Sequence, residues 1–372
     1  MRLKRLERAC RGAFIRGMSA LMGRPRRSEQ PKWDARPHRV LYLRYDRIGD
    51  MILASSLIRA IATSHASLTV DVLASPWNAP VLEGNPYVGS VVLFERRKPW
   101  TYWRTIRQLR RARYDAIIDC MVTAPSTTTL IVMLLSGARH RIGAGGQSND
   151  FAYTIAVPNL TAATHYVERT AALALPFGVD LDATDWSPAI YLSDSERAGG
   201  ELAWRSHGAL RDTGAPRRRL LVNISAGKPS CAWPDDKFIA VLRALRSRRD
   251  GLCTLLIGSP AESDRVAHIA REAEVSVART PGIRSALALV AAADLVVTPD
   301  TSIVHAASSF HIPAVVLFPR RTNELYGLYR SPGERVISPG KTVAELAVAP
   351  VLAALERMLE SGATASATAR QG

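Results

Sequence analysis

Lysine, cysteine and acidic residues are the scarce components of this 372-residue chain. With few lysines, arginine carries nearly all of the positive charge, and 49 Lys+Arg against 33 Asp+Glu leave a net charge of +16. The four cysteines, Cys10, Cys120, Cys231 and Cys253, show no CxxC spacing. That excludes a zinc-ribbon pattern or a disulfide framework and favours a reducing compartment. No window of 18 uninterrupted apolar residues occurs, so no membrane span is expected. The best candidate, 116–135, is broken by Asp119, Thr123, Pro125 and a run of hydroxyl residues, and reads as strand, turn and helix. GxGxxG and GxxxxGK[ST] are both missing, so neither a dinucleotide fingerprint nor a P-loop is present. What remains is globular: 47% apolar and 22% charged residues suffice for buried cores, and the length suggests about two domains.

A basic excess raises three kinds of partner: nucleic acid, an anionic membrane surface, or anionic small molecules. Residues 1–32 hold ten basic residues against Glu7 and Glu29, half of the net charge. Leu3, Leu6, Cys10, Phe14, Met18 and Leu21 fall at spacings of three and four, and basic residues fill the other face. The pattern reads as an interfacial helix on an anionic inner-membrane surface; an extension packed on the domain surface also fits. Charge interrupts the apolar residues and no apolar h-region follows, so no signal peptide is expected. The remaining +8 reads as spread over the other 340 residues, and no nucleic-acid-binding module is recognisable, so no nucleic-acid partner is expected.

From residue 39 short β-rich runs alternate with helical stretches, the mark of parallel sheets covered on both faces. Strands are expected over 39–44, 68–73, 90–94, 115–120 and 139–142, with helices over 50–63, 77–82, 102–113 and 126–136 between them. A helix near 165–175 and a polar stretch from about 179 to 216, containing a helical segment over 194–207, mark a boundary. The pattern then restarts. Strands are expected over 220–224, 253–257, 275–278, 294–297 and 314–318, with helices over 235–246, 262–272, 283–292 and 302–309. A last helix over 343–359 precedes a Ser/Ala/Thr/Gly-rich end expected to be disordered. The organisation is α/β: a basic segment and linker (1–36), one doubly wound half (37–190), a second (215–345), and a C-terminal helix and tail (346–372). Ligands are expected between the halves, at the carboxyl ends of the strands.

Two strand ends carry candidate chemistry. Asp46-Arg47-Ile48-Gly49-Asp50 follows the first strand; Gly49 suits a tight turn, and Asp50 stands either as a helix cap or as a functional carboxylate. Asp300-Thr301-Ser302-Ile303-Val304-His305 follows a strand of the second half, where amides at a helix start make an anion site suited to pyrophosphate, or an ordinary cap. His305 is assigned to the same donor-binding site, and is equally consistent with a packed helical histidine. The loop Asn223–Pro234 offers Lys228 to a leaving diphosphate, and Glu262, after another strand, is placed to accept hydrogen bonds from ribose.

These residues resemble glycosyltransferase family 9, the bacterial lipopolysaccharide heptosyltransferases. The resemblance runs over about 39–359 and rests on the Asp46–Asp50 turn, Asn85-Pro86, Asp300-Thr301 with His305, and His311-Ile312-Pro313-Ala314-Val315-Val316-Leu317-Phe318. It implies a GT-B fold of two Rossmann-like domains facing an inter-domain cleft. The implied activity is an inverting transfer without metal or other cofactor, from a nucleotide sugar such as ADP-heptose to a lipid A-core-type glycolipid. On the same resemblance Asp50 matches the general base, Asp300, Thr301 and Ser302 the diphosphate turn, and Glu262 a residue near the ribose. A cytoplasmic-face, peripheral membrane location is implied as well. Two positions depart from the family pattern: Cys231 stands where Lys or Arg usually precedes Trp-Pro by two residues, and Ser302 where Gly is common. Cys231 leaves open another nucleotide sugar, or a binding protein without turnover, and Lys228 three residues earlier is a possible substitute. For an acidic acceptor, Arg141 is the arginine retained from several near strand ends.

Overall fold

The structure is a computed structural model that describes residues 2–23, 28–96, 98–209, 217–248, 251–320 and 324–368. The chain divides into two compact units, Met1–Trp186 and Ser187–Gly372. The first contains α1 (Arg2–Met22), β1 (His38–Leu43), α2 (Ile48–Ser64), β2 (Leu68–Ala74), β3 (Val91–Leu93), α3 (Pro99–Ala112), β4 (Ala116–Asp119), α4 (Thr127–Leu135), β5 (His140–Ala144), β6 (Ile155–Val157) and α5 (Tyr166–Ala171). The second contains α6 (Asp194–Ser206), β7 (Arg218–Asn223), α7 (Asp235–Arg248), β8 (Leu252–Ile257), α8 (Ser263–Ala273), β9 (Ser276–Val277), α9 (Ile283–Ala291), β10 (Leu295–Pro299), α10 (Ser302–Ser309), β11 (Ala314–Phe318), β12 (Gly333–Ile337) and α11 (Val348–Thr368).

Each unit is built on a six-stranded sheet, ordered β3-β2-β1-β4-β5-β6 in the first and β12-β11-β10-β7-β8-β9 in the second, with every pairing parallel. Taken from its own first strand, the second order is the first one reversed in viewing direction. Both are Rossmann-like, and in each the direction of winding reverses between the first and fourth strands, the place where such folds bind ligands. The strands follow from their residues: β10 (LVVTP) and β11 (AVVLF) are buried throughout, as a parallel sheet covered on both faces requires.

Two strands lie outside the expected set. β6 is three residues long, and β12 (GERVI) is an outer strand in which Val336 alone is buried, so neither shows an apolar run. The expected helix over 77–82 is instead a single 3-10 turn at Ala79–Leu82, opened by Pro80. The helix near 165–175 is α5 followed by 3-10 turns Ala172–Phe177 around Pro176. At the carboxyl end, α11 continues to Thr368 through residues expected to be disordered.

The amino-terminal segment is helical, but its placement differs from a free amphipathic helix. Ile15, outside the expected apolar face, is 2% exposed and joins the first unit's core beside Leu130 and Met133 of α4, with Met18 packed against them. Phe14, Leu21 and Met22 stay exposed. No helix among the described residues is long and apolar enough to cross a membrane.

Helix α6 packs on α9 within the second unit. Its start is a capping box between Ser193 and Glu196. Arg284 of α9 clamps that glutamate, its Nε 2.6 Å from Oε1, and holds the Glu196 carboxyl down to about 2. The Trp204 indole is buried and donates to the Leu289 carbonyl at 3.2 Å. Gly200 permits this approach, because a Cβ there would sit 2.5 Å from the Ala288 carbonyl oxygen, whereas nothing lies within 4 Å of a Cβ at Gly199. Gly199→Ala is therefore expected to stabilise by about 0.5–1 kcal/mol through helix propensity. Gly200→Ala is expected to destabilise by about 1–3 kcal/mol through overpacking. Urea denaturation of the two variants checks the opposite signs.

Candidate functional site

In the first unit the polar groups gather where β1 and β4 end side by side, Leu43 being level with Asp119. Arg44 leaves the strand with a side chain 1% exposed. Its guanidinium donates to both oxygens of Asp46, at 3.2 and 3.0 Å, and to the Tyr166 hydroxyl. That hydroxyl donates in turn to the Cys120 carbonyl at 2.9 Å. Asn78 ties the end of β2 to the same corner: its Nδ2 donates to the Arg44 carbonyl at 3.1 Å and its Oδ1 accepts from Ser75 N at 2.9 Å. A buried charge of this kind depends on its partners, and the Arg44 Nε is left without one among the described residues.

Asp50 does not cap α2. The N-cap is Arg47, in extended conformation and without a side-chain cap bond, and Asp50 stands in the first helical turn. Gly49 is a buried helical residue and is not among the glycines with positive φ, so it supplies no tight-turn conformation here. Burial raises the Asp50 carboxyl to about 6, with the neighbouring Asp46 adding to the rise and Arg44 and Arg47 opposing it. Asp46 goes the other way. Burial pushes it up, but the Arg44 charge and hydrogen bonds from its neighbours hold it below the usual range. One arginine thus separates two adjacent carboxylates into an ionised member and one that titrates near neutrality, the arrangement by which sites generate an acid/base group.

Beside them a third carboxylate, the fully buried Asp119, accepts from Met121 N at 2.8 Å, Tyr153 Oη at 2.8 Å and Asn149 Nδ2 at 3.3 Å. Burial raises it despite these bonds. Gly143 leaves the space for Tyr153, since a Cβ there would overlap the ring. Arg141 is not brought to this corner. It is level with Ile117 and so with Leu41, three positions short of Arg44, about 10 Å along the strand direction, and its Nε donates to the Ala152 carbonyl at 2.6 Å.

In the second unit the equivalent place is the end of β7 and β10. Asn223 Nδ2 donates to Thr298 Oγ1 at 2.9 Å and Thr301 Oγ1 at 3.2 Å. Thr301 is the N-cap of α10, its hydroxyl accepting from Ile303 N at 3.2 Å. The amides of Thr301 and Ser302 therefore stand at the head of the helix, the geometry that favours an anion. The loop after β7 lies against this turn: Gly227 N donates to the Asp300 carbonyl at 3.2 Å, and a Cβ at Gly227 would sit 3.0 Å from that oxygen. Cys231 is buried with its Sγ 3.8 Å from Asp300 Oδ2. Burial, then the Asp300 charge, raises its thiol. Lys228 is exposed on the same loop, and His305 is buried within α10.

Glu262 serves as a clasp. It accepts from Ser225 Oγ, from the Ser259 hydroxyl at 2.6 Å and amide at 3.4 Å, and from Arg265 at 3.0 Å. These bonds draw its carboxyl down against the effect of burial. Three of these bonds fall on Oε2 and one on Oε1, so Oε1 keeps a lone pair that a ribose hydroxyl could reach. Arg265 also binds Asp235 and the carbonyls of Ile224 and Trp233, joining the ends of β7 and β8. Sequence reading assigned no role to Asn223, Asn78, Asp119, Tyr166 or Arg265, whose partners lie up to 122 positions away.

The description "Glycosyltransferase family 9 (heptosyltransferase)" matches residues 102–343. The chain belongs to this family. It is a glycosyltransferase whose two Rossmann-like units are of the GT-B type. Lipopolysaccharide heptosyltransferase 2 of Escherichia coli strain K12 is 25% identical over 289 residues, covering 73% of this chain and 80% of that protein. Among solved structures, a family 9 glycosyltransferase from Veillonella parvula superposes with a TM-score of 0.76 at 17% identity, covering 90% of this chain and all of that one. E. coli ADP-heptose lps heptosyltransferase II gives 0.69 at 21% identity, covering 87% and 99%. The Asp46–Asp50 turn precedes the matched family region, so its assignment rests on the geometry above. The Asp50 carboxyl is expected to titrate near pH 6 when followed by carbon NMR, and to move lower in Asp46→Asn, which removes the adjacent negative charge.

Proposed function

We propose that the enzyme transfers a heptose from ADP-heptose to a lipopolysaccharide inner-core glycolipid, with inversion and without a metal. The observation that carries the reading is Asp50: a carboxylate raised to about 6, at the winding reversal of the first sheet, is a general base matched to neutral pH. The named activities of the relatives support the sugar and the acceptor class.

In this reading the acceptor hydroxyl oxygen attacks the anomeric carbon of the donor, Asp50 takes its proton, and the bond from that carbon to the diphosphate oxygen breaks to release ADP. Charge growing on the leaving diphosphate meets the Thr301 and Ser302 amides and the α10 N-terminus, with Lys228 supplying a cation from the adjoining loop. Asp300 positions the turn through its contact with Cys231. Glu262 shapes the donor loop, and His305 packs the helix that presents the amides. Residues 1–32 hold the enzyme as a peripheral protein on the cytoplasmic face of the inner membrane, near its lipid-borne acceptor. Arg141 keeps a structural role on β5.

A second reading, another nucleotide sugar within the same chemistry, is favoured by Cys231, because a thiol beside Asp300 offers a diphosphate less charge than a basic residue. Calorimetric titration with ADP-, GDP-, UDP- and dTDP-sugars separates the two: preference for ADP-heptose supports the first, and selective binding of another base overturns it. Asp50→Ala is expected to reduce heptose transfer by about 10²–10⁴-fold with donor affinity unchanged. In the unaltered enzyme, transfer should rise with pH along a limb centred near 6, because the base acts as the carboxylate. Asp46→Asn should move that limb to lower pH. Cys231→Lys is expected to tighten donor binding, read in the same titration.

A further inference from the structure

The positive charge outside residues 1–32 is not spread over the chain. Residues 96–113 contain eight basic residues and no acidic one. The two segments carry +8 each, against −5 over the rest of the first unit and +5 over the second unit. The second segment is α3 with its flanks. Its inner face, Thr105, Ile106 and Leu109, is buried, with Leu109 in the core beside Leu130 and Met133. The outer face is Trp100 and Trp103 in the first turns, 73% and 65% exposed, followed by Arg104, Arg107, Arg110 and Arg111, all exposed. At helical spacing Trp100, Arg104, Arg107 and Arg111 form one stripe, with Trp103 and Arg110 along its side. None of these four arginines forms an ion pair with a described residue.

Two large exposed indoles are not needed for the core and are costly to leave in water. Tryptophan above arginine on one helix face is the composition that settles at a bilayer interface, indoles among the headgroups and guanidinium groups on phosphate. The neighbouring surface extends the patch. α4 contacts both α3 and α1, contains no charged residue, and exposes Leu135; α1 exposes Phe14, Leu21 and Met22 beyond it. Helices α1 and α3 therefore both lie against α4, with no acidic group between them on α4. The tryptophan end of α3 follows β3, so it lies toward the carboxyl edge of the sheet, the edge that carries Asp50.

We propose that the outer face of α3, through Trp100, Trp103 and the four arginines, is a docking surface for an anionic lipid bilayer, acting beside α1. Membrane contact then depends on a folded element of the catalytic unit, and the bilayer is met on the side from which a lipid-borne acceptor would come. That last point rests on the proposed acceptor; the docking itself does not.

The test is flotation of the full chain with phosphatidylcholine vesicles, with and without phosphatidylglycerol, over a range of salt. The unaltered chain should bind the anionic vesicles in a salt-sensitive way. Trp100→Ala with Trp103→Ala should lower partitioning at least about tenfold while salt sensitivity remains. Changing Arg104, Arg107, Arg110 and Arg111 to Gln should remove most of the preference for anionic vesicles. All six positions are exposed, so denaturation midpoints should not move. Trp100→Phe with Trp103→Phe gives an independent readout, the loss of quenching by brominated lipid. Vesicle binding and quenching unchanged in these variants would overturn the proposal in favour of α1 alone. Vesicle binding unaffected together with loss of duplex DNA binding would overturn it in favour of a nucleic-acid surface.

Discussion

A parallel sheet covered on both faces has no room for polar chemistry in its interior, so that chemistry is driven to the carboxyl edge. The polar clusters of the candidate site obey that constraint. Arg44, Asp46 and Asp50 follow β1, Asp119 ends β4, Asn223 ends β7, and Asp300 and Thr301 follow β10. In both units these strands flank the reversal of winding, where adjacent helices leave on opposite faces and the loop ends are free to accept a ligand.

At the first of these edges the balance of charges is set by one buried arginine. Arg44 has lost its water, and it is stabilised by Asp46, by Tyr166 and by the dipoles around them. Asp46 pairs with it and also accepts a hydrogen bond from Asp50, so Asp50 holds its proton beside a negative neighbour in a poorly solvated place. The same guanidinium thus ionises one carboxylate and leaves its neighbour able to carry a proton. In the second unit the corresponding tension is milder. Cys231 meets Asp300 without charge, and the anion site is built from backbone amides whose orientation Thr301 and Asn223 fix. A site of fixed dipoles needs little reorganisation when charge develops near it.

Most of the molecule's net charge, +11 of +16, belongs to the first unit, where residues 1–32 and 96–113 concentrate it. Long-range attraction of that kind orients a protein toward an anionic surface before any specific contact forms. Elsewhere arginines are held in local ion pairs, such as Arg284 with Glu196 and Arg357 with Glu334.

Local signals determined a large part of this structure. The apolar runs of β1, β10 and β11 and the strand-end positions of Asp50 and Thr301 were legible, because burial on both faces and helix starts leave their mark within a few residues. β6 and β12 were not, since short outer strands need no apolar run, and Pro80 turned an expected helix into a single 3-10 turn. Nor could spacing tell that Ile15 would anchor α1. Tertiary structure alone decided that Arg44 would meet Tyr166, that Asp119 would share Tyr153 and Asn149, that Cys231 would lie against Asp300, and that Arg141 would turn to a backbone carbonyl. These contacts join residues far apart in the chain, and the energies that select them, desolvation and charge pairing, exist only once the sheets have formed.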